Sequence, residues 1–205
     1  MTVVFKLGGS LLDLPSLAQN LETALKLRSS DRCLVVVGGG KAADIVRIWS
    51  RIHGLNEERA HWLALSSLDL NRRLIEELTG WTSVSSRAEA EAAWLAHQSP
   101  VILNLAEFAA AEEQLVGTEV PHSWDSTSDS MAAWTAVRWP ARELILLKSV
   151  ELPLGTSAEM AVHREMVDAN FPIVANGVAK IGWCNLRESP ITVQPWVSHT
   201  GDFSA

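Results

Sequence analysis

The N-terminal segment combines a lysine with a glycine turn, a pattern suited to phosphate binding. An apolar run at 3–5 leads into Lys6, and Gly8, Gly9 and Ser10 follow after one leucine. Glycines have no Cβ, so backbone N–H groups can close on phosphate oxygens, and a helix that begins there adds partial positive charge. Lys6, at the end of a predicted strand, faces the crevice where open α/β sheets bind ligands. We therefore predict an anion site in which the Lys6 ammonium bridges phosphates.

A second glycine turn repeats the first. The apolar run 33–37 predicts a strand, Gly38, Gly39 and Gly40 form the turn, and 41–51 is predicted to be a helix. Two such turns at adjacent strand ends would hold two phosphoryl groups side by side. Neither turn has Walker A spacing or the Gly-x-Gly-x-x-Gly fingerprint of nicotinamide-binding Rossmann domains. The alternative for each turn taken alone is a tight βα connection in an ordinary doubly wound sheet.

A third segment supplies a carboxylate and hydroxyl groups. Asp129 falls in the first turn of a helix predicted over 128–137, just after Thr127 and Ser128. Asp129 is either catalytic or a complement to the helix dipole, and the two hydroxyl residues either contact an acceptor or cap the helix. His122 and Trp124, just upstream, would line an acceptor pocket for a flat ring or pack as core residues.

Composition restricts the partners of this protein. The chain has 205 residues, of which 47% are hydrophobic and 20% charged, enough to bury the core of one α/β domain. A net charge of −7 and a pI near 5.4 argue against a nucleic-acid surface. An anionic small-molecule substrate must then be held by local lysines and amides. Because no run reaches membrane-spanning length and the N-terminus begins with a predicted strand, we expect a cytoplasmic protein without a membrane partner.

Cysteines and histidines indicate neither a disulfide framework nor a metal site. The two cysteines are far apart in sequence, and the histidines other than His122 show no metal-ligand spacing: His53, His61, His97, His163 and His199. We interpret these five as ordinary surface or core residues.

Alternating strand and helix patterns predict an α/β fold. The expected architecture is a three-layer αβα sandwich with a mainly parallel sheet. A long helix is predicted over 56–79, with an apolar stripe that either packs on the sheet or forms a subunit interface, so we expect a homo-oligomer, specifically a dimer. Near the C-terminus, 158–168 is predicted to be helical, and 172–175 and 191–193 are predicted to be strands.

These segments together resemble the amino acid kinase superfamily. The resemblance rests on Lys6-Leu7-Gly8-Gly9-Ser10, Val37-Gly38-Gly39-Gly40 and Thr127-Ser128-Asp129-Ser130-Met131-Ala132-Ala133, in that order and at suitable distances over residues 3–150. The stretch 121–130 is similar to the branch that contains aminomethylfuran phosphate kinase. Members of the superfamily transfer the γ-phosphoryl group of ATP to a carboxylate or a phosphate.

The resemblance implies roles for individual residues. Lys6 matches the lysine that contacts the transferring group, and Asp129 matches the aspartate that orients the active-site lysines. The turn 8–10 matches the segment that binds ATP phosphates, and the turn 38–40 matches the one that approaches the acceptor. The implied reaction uses ATP and Mg²⁺, and it needs no general base because the acceptor oxygen is already ionised.

The C-terminal region departs from the family pattern. The usual Gly-Gly-Met-x-x-Lys segment, source of a second catalytic lysine, is missing. Lys148, at the end of a predicted strand, is either a catalytic lysine that reaches the nucleotide phosphates or a surface lysine at a strand end. Lys180 is a weak substitute for the missing lysine in nucleotide binding. We expect one domain over 1–205, with an acceptor lobe at 1–140 and an abbreviated nucleotide-binding lobe at 141–205. The alternative function is a non-catalytic nucleotide- or oxyanion-binding or storage protein of the same fold.

Overall fold

A seven-stranded sheet forms the centre of the computed structural model, which describes residues 1–115 and 120–198. The strand order is β3-β4-β2-β1-β5-β6-β7, and all neighbours are parallel except the antiparallel pair β6–β7. The strands are β1 Thr2–Leu7, β2 Arg32–Val37, β3 Thr82–Val84, β4 Val101–Leu103, β5 Glu143–Lys148, β6 Lys180–Asn185 and β7 Gln194–Ser198.

Helices connect the strands and cover the sheet. They are α1 Leu17–Lys26, α2 Gly40–His53, α3 Glu57–Thr79, α4 Arg87–Leu95, α5 Leu105–Glu112, α6 Ser128–Arg138, α7 Ala158–His163 and α8 Phe171–Ala175. Alternate residues of β1 belong to two different core clusters, Val4 to one and Phe5 to the other, and both are fully buried. Both faces of the sheet are therefore covered, and the predicted α/β fold with a mainly parallel sheet is confirmed.

The central strands bring the predicted motifs to one edge of the sheet. β1 lies between β2 and β5, and Leu7 is in register with Val37 on one side and Leu147 on the other. The chain segments that follow these three strands therefore leave the sheet side by side. The sheet runs without interruption across residue 140, the boundary proposed between the two lobes.

Three C-terminal predictions are wrong. The expected strand 172–175 is instead helix α8, because Phe171 and Ala175 are buried one turn apart and Pro172 suits a first helical turn. The expected strand 191–193 begins only at Gln194, in edge strand β7, which tolerates Pro195. The helix predicted over 158–168 ends at His163, because Glu165 adopts a positive φ of 55°.

Two amphipathic helices bury less of their apolar surface than expected. On α2 the apolar residue Val46 is buried, whereas its apolar neighbours Ile45, Trp49 and Ile52 are exposed, Trp49 by 49%. On α3, Ala60 and Ile75 are buried, but four leucines of the predicted stripe remain exposed: Leu63, Leu70, Leu74 and Leu78. The stripe therefore only partly packs on the sheet.

Across residues 1–115 and 120–198, no helix is both long enough and apolar enough to serve as a membrane span.

Candidate functional site

Two buried lysines meet one buried carboxylate at the sheet edge. The Nζ atoms of Lys6 and Lys148 each lie 2.8 Å from Oδ1 of Asp129. Lys148 also donates to Oδ2 of Asp129 at 2.8 Å and to the carbonyl oxygen of Met166 at 2.6 Å. The lysines end β1 and β5, and Asp129 enters from the first turn of α6, which packs on both strands. We call Lys6, Asp129 and Lys148 the lysine cluster.

Burial and mutual charge determine the ionisation of the lysine cluster. Burial alone would raise the pKa of Asp129, but the charges of Lys148 and Lys6 outweigh it and lower this pKa to about 2. Burial lowers the pKa of Lys148 to about 8, and the charge of Lys6 acts in the same direction against the attraction of Asp129. With all three groups ionised, the lysine cluster carries one excess positive charge, which is suited to attract an anion.

The two glycine turns are in direct backbone contact beside the lysine cluster. A Cβ added to Gly9 would lie 2.1 Å from the amide nitrogen of Gly40, whose φ of +48° also favours glycine. A Cβ added to Gly38 would lie 2.9 Å from the carbonyl oxygen of Leu7 and 3.1 Å from Oγ of Ser128. The three motifs identified in the sequence therefore converge at a single point.

A buried asparagine fixes the second turn. Nδ2 of Asn71, on α3, donates to the carbonyl oxygens of Gly38 and Gly39 at 2.8 and 2.7 Å. Buried carbonyls without a partner would be costly, so Asn71 stabilises the turn conformation. Sequence analysis missed this residue because its partners are more than thirty positions away.

A second carboxylate binds the N-terminus of α6. Asp168 accepts from the amides of Thr127 and Ser130 at 3.0 and 2.9 Å, and from both of their hydroxyl groups. Burial, and then the charge of Asp129, raises the pKa of Asp168. The helix cap is therefore supplied by the segment between α7 and α8 and not by local side chains. Nothing in the sequence spacing connects Asp168 with this helix.

A cavity opens beside the second turn, on the acceptor side of the predicted site. Five of the residues predicted to bind the substrate line it: Gly39, Gly40, Trp124, Thr127 and Ser128. The guanidinium carbon of Arg47, another lining residue, lies 4.7 Å from the ring centroid of Trp124. Arg47 is half-buried and also donates to Oδ1 of Asp44, another lining residue, at 2.9 Å, so this wall of the cavity presents a paired cation over an indole face.

Polar groups meet on the other side of the first turn. The hydroxyl oxygens of Ser10 and Ser149 are 2.9 Å apart, and Arg187 donates to the carbonyl oxygen of Ser10 at 3.1 Å. Arg187 comes from the chain just after β6, and Ser149 immediately follows Lys148. This side is the expected nucleotide side, and sequence analysis did not identify Ser149 or Arg187.

Two of the predicted site residues lie apart from the lysine cluster and the residues around it. Lys180 is exposed and begins β6 next to the amino end of β5, so it lies at the opposite edge of the sheet from Lys148. His122 does not line the acceptor-side cavity. Its ring instead stacks on that of His61, with 4.1 Å between centroids, so these histidines are less scattered than the sequence indicated.

Comparisons with known proteins agree with this geometry. The sequence model of the amino acid kinase family matches residues 1–151. No curated protein matches the chain. Among solved structures, uridylate kinase from Archaeoglobus fulgidus is 19% identical, with a TM-score of 0.58 over 89% of this chain and 90% of that one.

Two further solved structures share the fold. UMP kinase from Ureaplasma parvum is 14% identical, with a TM-score of 0.62 over 93% of this chain and 92% of that one. Aspartate kinase from Synechocystis is 12% identical, with a TM-score of 0.65 over 96% of this chain but only 40% of that one. At these identities the structural likeness shows the fold alone, whereas the match to the sequence model of the family shows common family membership.

Proposed function

Because the chain belongs to the amino acid kinase family, we propose that it is an ATP-dependent kinase that phosphorylates a small anionic molecule. The observation that carries the proposal is the lysine cluster, in which two buried ammonium groups share one carboxylate beside two touching glycine turns. Phosphoryl transfer requires positioning and positive charge around the equatorial oxygens. The lysine cluster would supply that charge.

We assign the two sides of the lysine cluster to the two substrates. The amides of Gly9 and Ser10 begin a helical turn and have no acceptor within it, so they can bind nucleotide phosphates. On the same side, Ser149 and Arg187 contact Ser10 and would bind the phosphates with it. This assignment keeps the acceptor lobe at 1–140 and the nucleotide lobe at 141–205 as parts of one domain.

Magnesium would enter with the nucleotide. It would add positive charge at the phosphate oxygens, which are its preferred hard ligands. Both oxygens of Asp129 are engaged by lysines, and Asp168 is engaged by the N-terminus of α6. We therefore assign no protein ligand to Mg²⁺.

The acceptor is proposed to be a phosphate monoester, or otherwise a carboxylate. Thr127 and Ser128 offer hydroxyl groups at the cavity wall, and Arg47 with Trp124 would hold a flat or anionic part of the molecule. Because such an acceptor oxygen is already ionised, no catalytic base is required. An aminomethylfuran phosphate is the most specific candidate, and it rests on the resemblance of 121–130 to that branch.

The test is ADP release by the purified chain with Mg-ATP and a panel of phosphate monoesters and carboxylates. Loss of one well-placed cation typically costs about 3 kcal/mol in the barrier, so Lys6→Ala should reduce turnover at least roughly a hundredfold. Lys26→Ala is the matched control, since that side chain is 74% exposed on α1. An unchanged rate in Lys6→Ala would remove this lysine from the mechanism.

The alternative of a non-catalytic binding protein makes a different prediction. It rests on the missing Gly-Gly-Met-x-x-Lys segment. Nucleotide binding in calorimetry without ADP release, for every acceptor tested, would favour it over the kinase.

We also propose that a second copy of the chain covers the exposed apolar faces of α2 and α3. These two helices pack on each other, and Trp49 and Ile52 of α2 and Leu70 of α3 each leave about half or more of their apolar side chains exposed. A second copy would cover such apolar side chains. Light scattering should report a dimer, and Leu70→Glu should shift it to a monomer. A monomeric wild-type chain at micromolar concentration would contradict the proposal.

A further inference from the structure

Two imidazole rings and two carboxylates form a second group of ionisable side chains, which is buried at His61 and reaches the surface at Glu58. The rings of His61 and His122 are nearly parallel, at 13°, with centroids 4.1 Å apart. Nε2 of His122 lies 2.9 Å from Oε2 of Glu113, and Nδ1 lies 2.5 Å from Oε2 of Glu58. We call His61, His122, Glu113 and Glu58 the histidine cluster.

The histidine cluster contains a buried nitrogen without a partner. His61 is only 7% exposed, and its Nε2 has no hydrogen-bond partner among the residues that the structure describes. A buried polar atom left unpaired in this way calls for an explanation, and an absent ligand is a common one.

We propose that His61, His122 and Glu113 bind one divalent transition-metal ion of the zinc class. One ligand atom from each residue falls within 4.8 Å of the others. Ligand atoms around a tetrahedral zinc ion are about 3.4 Å apart, and each imidazole lone pair lies in the plane of its ring, so one of the two stacked rings must turn out of the stack before both bind the same ion. Two imidazoles and one carboxylate form a ligand set that zinc uses in proteins, with a fourth position left for water or another ligand.

Glu58 would orient one of the ligands. It accepts from Nδ1 of His122 at 2.5 Å and from Nε1 of Trp62 at 2.7 Å. Metal-binding histidines commonly have their other ring nitrogen bonded to a carboxylate in this way. The ion would then replace the proton that Nε2 of His122 shares with Oε2 of Glu113 at 2.9 Å. Trp62 also packs edge-on against both imidazoles, at 5.6 and 5.5 Å.

The position of the proposed ion gives it a structural consequence. His61 lies on α3, Glu113 follows α5, and His122 precedes α6, so one ion would link three segments that are separate in sequence. His61 also lines the acceptor-side cavity, and Trp124 and Thr127 of that cavity follow His122 closely. The ion would therefore fix the wall of the cavity, and the cavity gives it a path of entry.

Metal binding can be measured without any enzymatic assay. The chelator-treated full chain is titrated with Co²⁺ and Zn²⁺, and with Mg²⁺ as a hard-cation control. We expect one Zn²⁺ per chain, the visible absorption of tetrahedral Co²⁺, a higher melting temperature with Zn²⁺, and no binding of Mg²⁺ by the histidine cluster. Octahedral Co²⁺ absorption alone, or no saturable Zn²⁺ binding, would overturn the proposal.

Variants of the histidine cluster test whether these residues bind the ion. Loss of an outer partner of a metal ligand typically costs about 10–100-fold in affinity, so loss of a ligand should cost at least a hundredfold. We expect this loss for His61→Ala and Glu113→Gln, and about tenfold for Glu58→Gln, whose side chain is 59% exposed and whose replacement should leave the fold intact. His163→Ala, at an exposed position on α7, is the control. Equal losses in His163→Ala, or none in Glu58→Gln and His61→Ala, would show only adventitious surface binding.

Discussion

The lysine cluster is buried throughout, whereas the histidine cluster is buried at His61 and exposed at Glu58, and the two have opposite imbalances of charge. In the lysine cluster two cations share one carboxylate. In the histidine cluster two carboxylates face two imidazoles, one of which burial keeps neutral. A buried group stabilises whatever charge would balance it. The comparison therefore indicates that the lysine cluster binds an anion and that the histidine cluster binds a cation.

The largest expected effect comes from removing the shared carboxylate of the lysine cluster. Asp129→Asn leaves two buried ammonium groups without their counter-charge, which should lower the free energy of unfolding by about 3–5 kcal/mol. It should also reduce turnover at least roughly a hundredfold, because the lysines lose their orientation. Denaturant unfolding and ADP release measure the two effects.

An exposed ion pair provides the control for Asp129→Asn. Glu91 pairs with Arg32 at the surface, and both side chains are more than 40% exposed, so Glu91→Gln should change stability by less than about 1 kcal/mol. Equal stability losses for the two variants would mean that burial does not couple the groups of the lysine cluster.

The next effect concerns the backbone contact that places the glycine turns beside the lysine cluster. In Gly9→Ala the new Cβ would meet the backbone of Gly40 at 2.1 Å, and backbone cannot swing aside as a side chain can. We expect a stability loss of about 1–3 kcal/mol, as for other overpacked sites, and about a tenfold loss of activity as the turns separate.

Gly54→Ala is the matched control for the turn. Gly54 has a φ of +61° and open space around it, so alanine there should lower stability by only about 1 kcal/mol through backbone strain. The activity of Gly54→Ala should be unchanged. Full activity in Gly9→Ala would show that the spacing of the two turns is not important for transfer.

The lysine cluster was largely predictable from sequence because the carboxyl ends of parallel strands lie at the same edge of a sheet. Lys6 and Lys148 follow apolar runs, and Asp129 opens a helix, so local patterns place all three at one edge. The histidine cluster was not predictable. His61, Glu113 and His122 come from two helix surfaces and a connecting segment, and no local periodicity reports how those surfaces are juxtaposed.

The same distinction explains the other differences between prediction and structure. The short run at 172–175 suits a strand or a helix equally, and only the packing of Phe171 selects the helix. Asn71 and Asp168 stabilise the site through partners far away in sequence. Residues whose role is to hold another segment in place carry no local signal.

A smaller effect, about tenfold in kcat/KM for ATP, is expected when the pH is raised. Lys148 is charged below its pKa of about 8, so kcat/KM for ATP should fall about tenfold between pH 7 and pH 9 as this positive charge is lost. The unfolded chain, with an ordinary lysine pKa of 10.5, binds more protons than the folded chain between those values, so Lys148 should make stability rise with pH there.

Lys148→Arg separates this effect from other titrations. A guanidinium stays charged over the whole range, so the alkaline loss should disappear from the profile even where the maximal rate is lower. An alkaline loss that persists unchanged in Lys148→Arg would assign it to another group.

The smallest expected effect tests the histidine cluster in the absence of metal. His61→Leu keeps a buried side chain of similar volume and removes the nitrogen that has no partner in the described part of the chain. Without added metal, the free energy of unfolding should therefore stay the same or rise by up to about 1 kcal/mol. With Zn²⁺ present, the order should reverse, because only the wild-type chain gains stability from the ion. Urea unfolding of both proteins, with chelator and with Zn²⁺, measures the two differences. A large loss of stability in chelator would mean that His61 is satisfied by the protein alone, and the contrast with the lysine cluster would then fail.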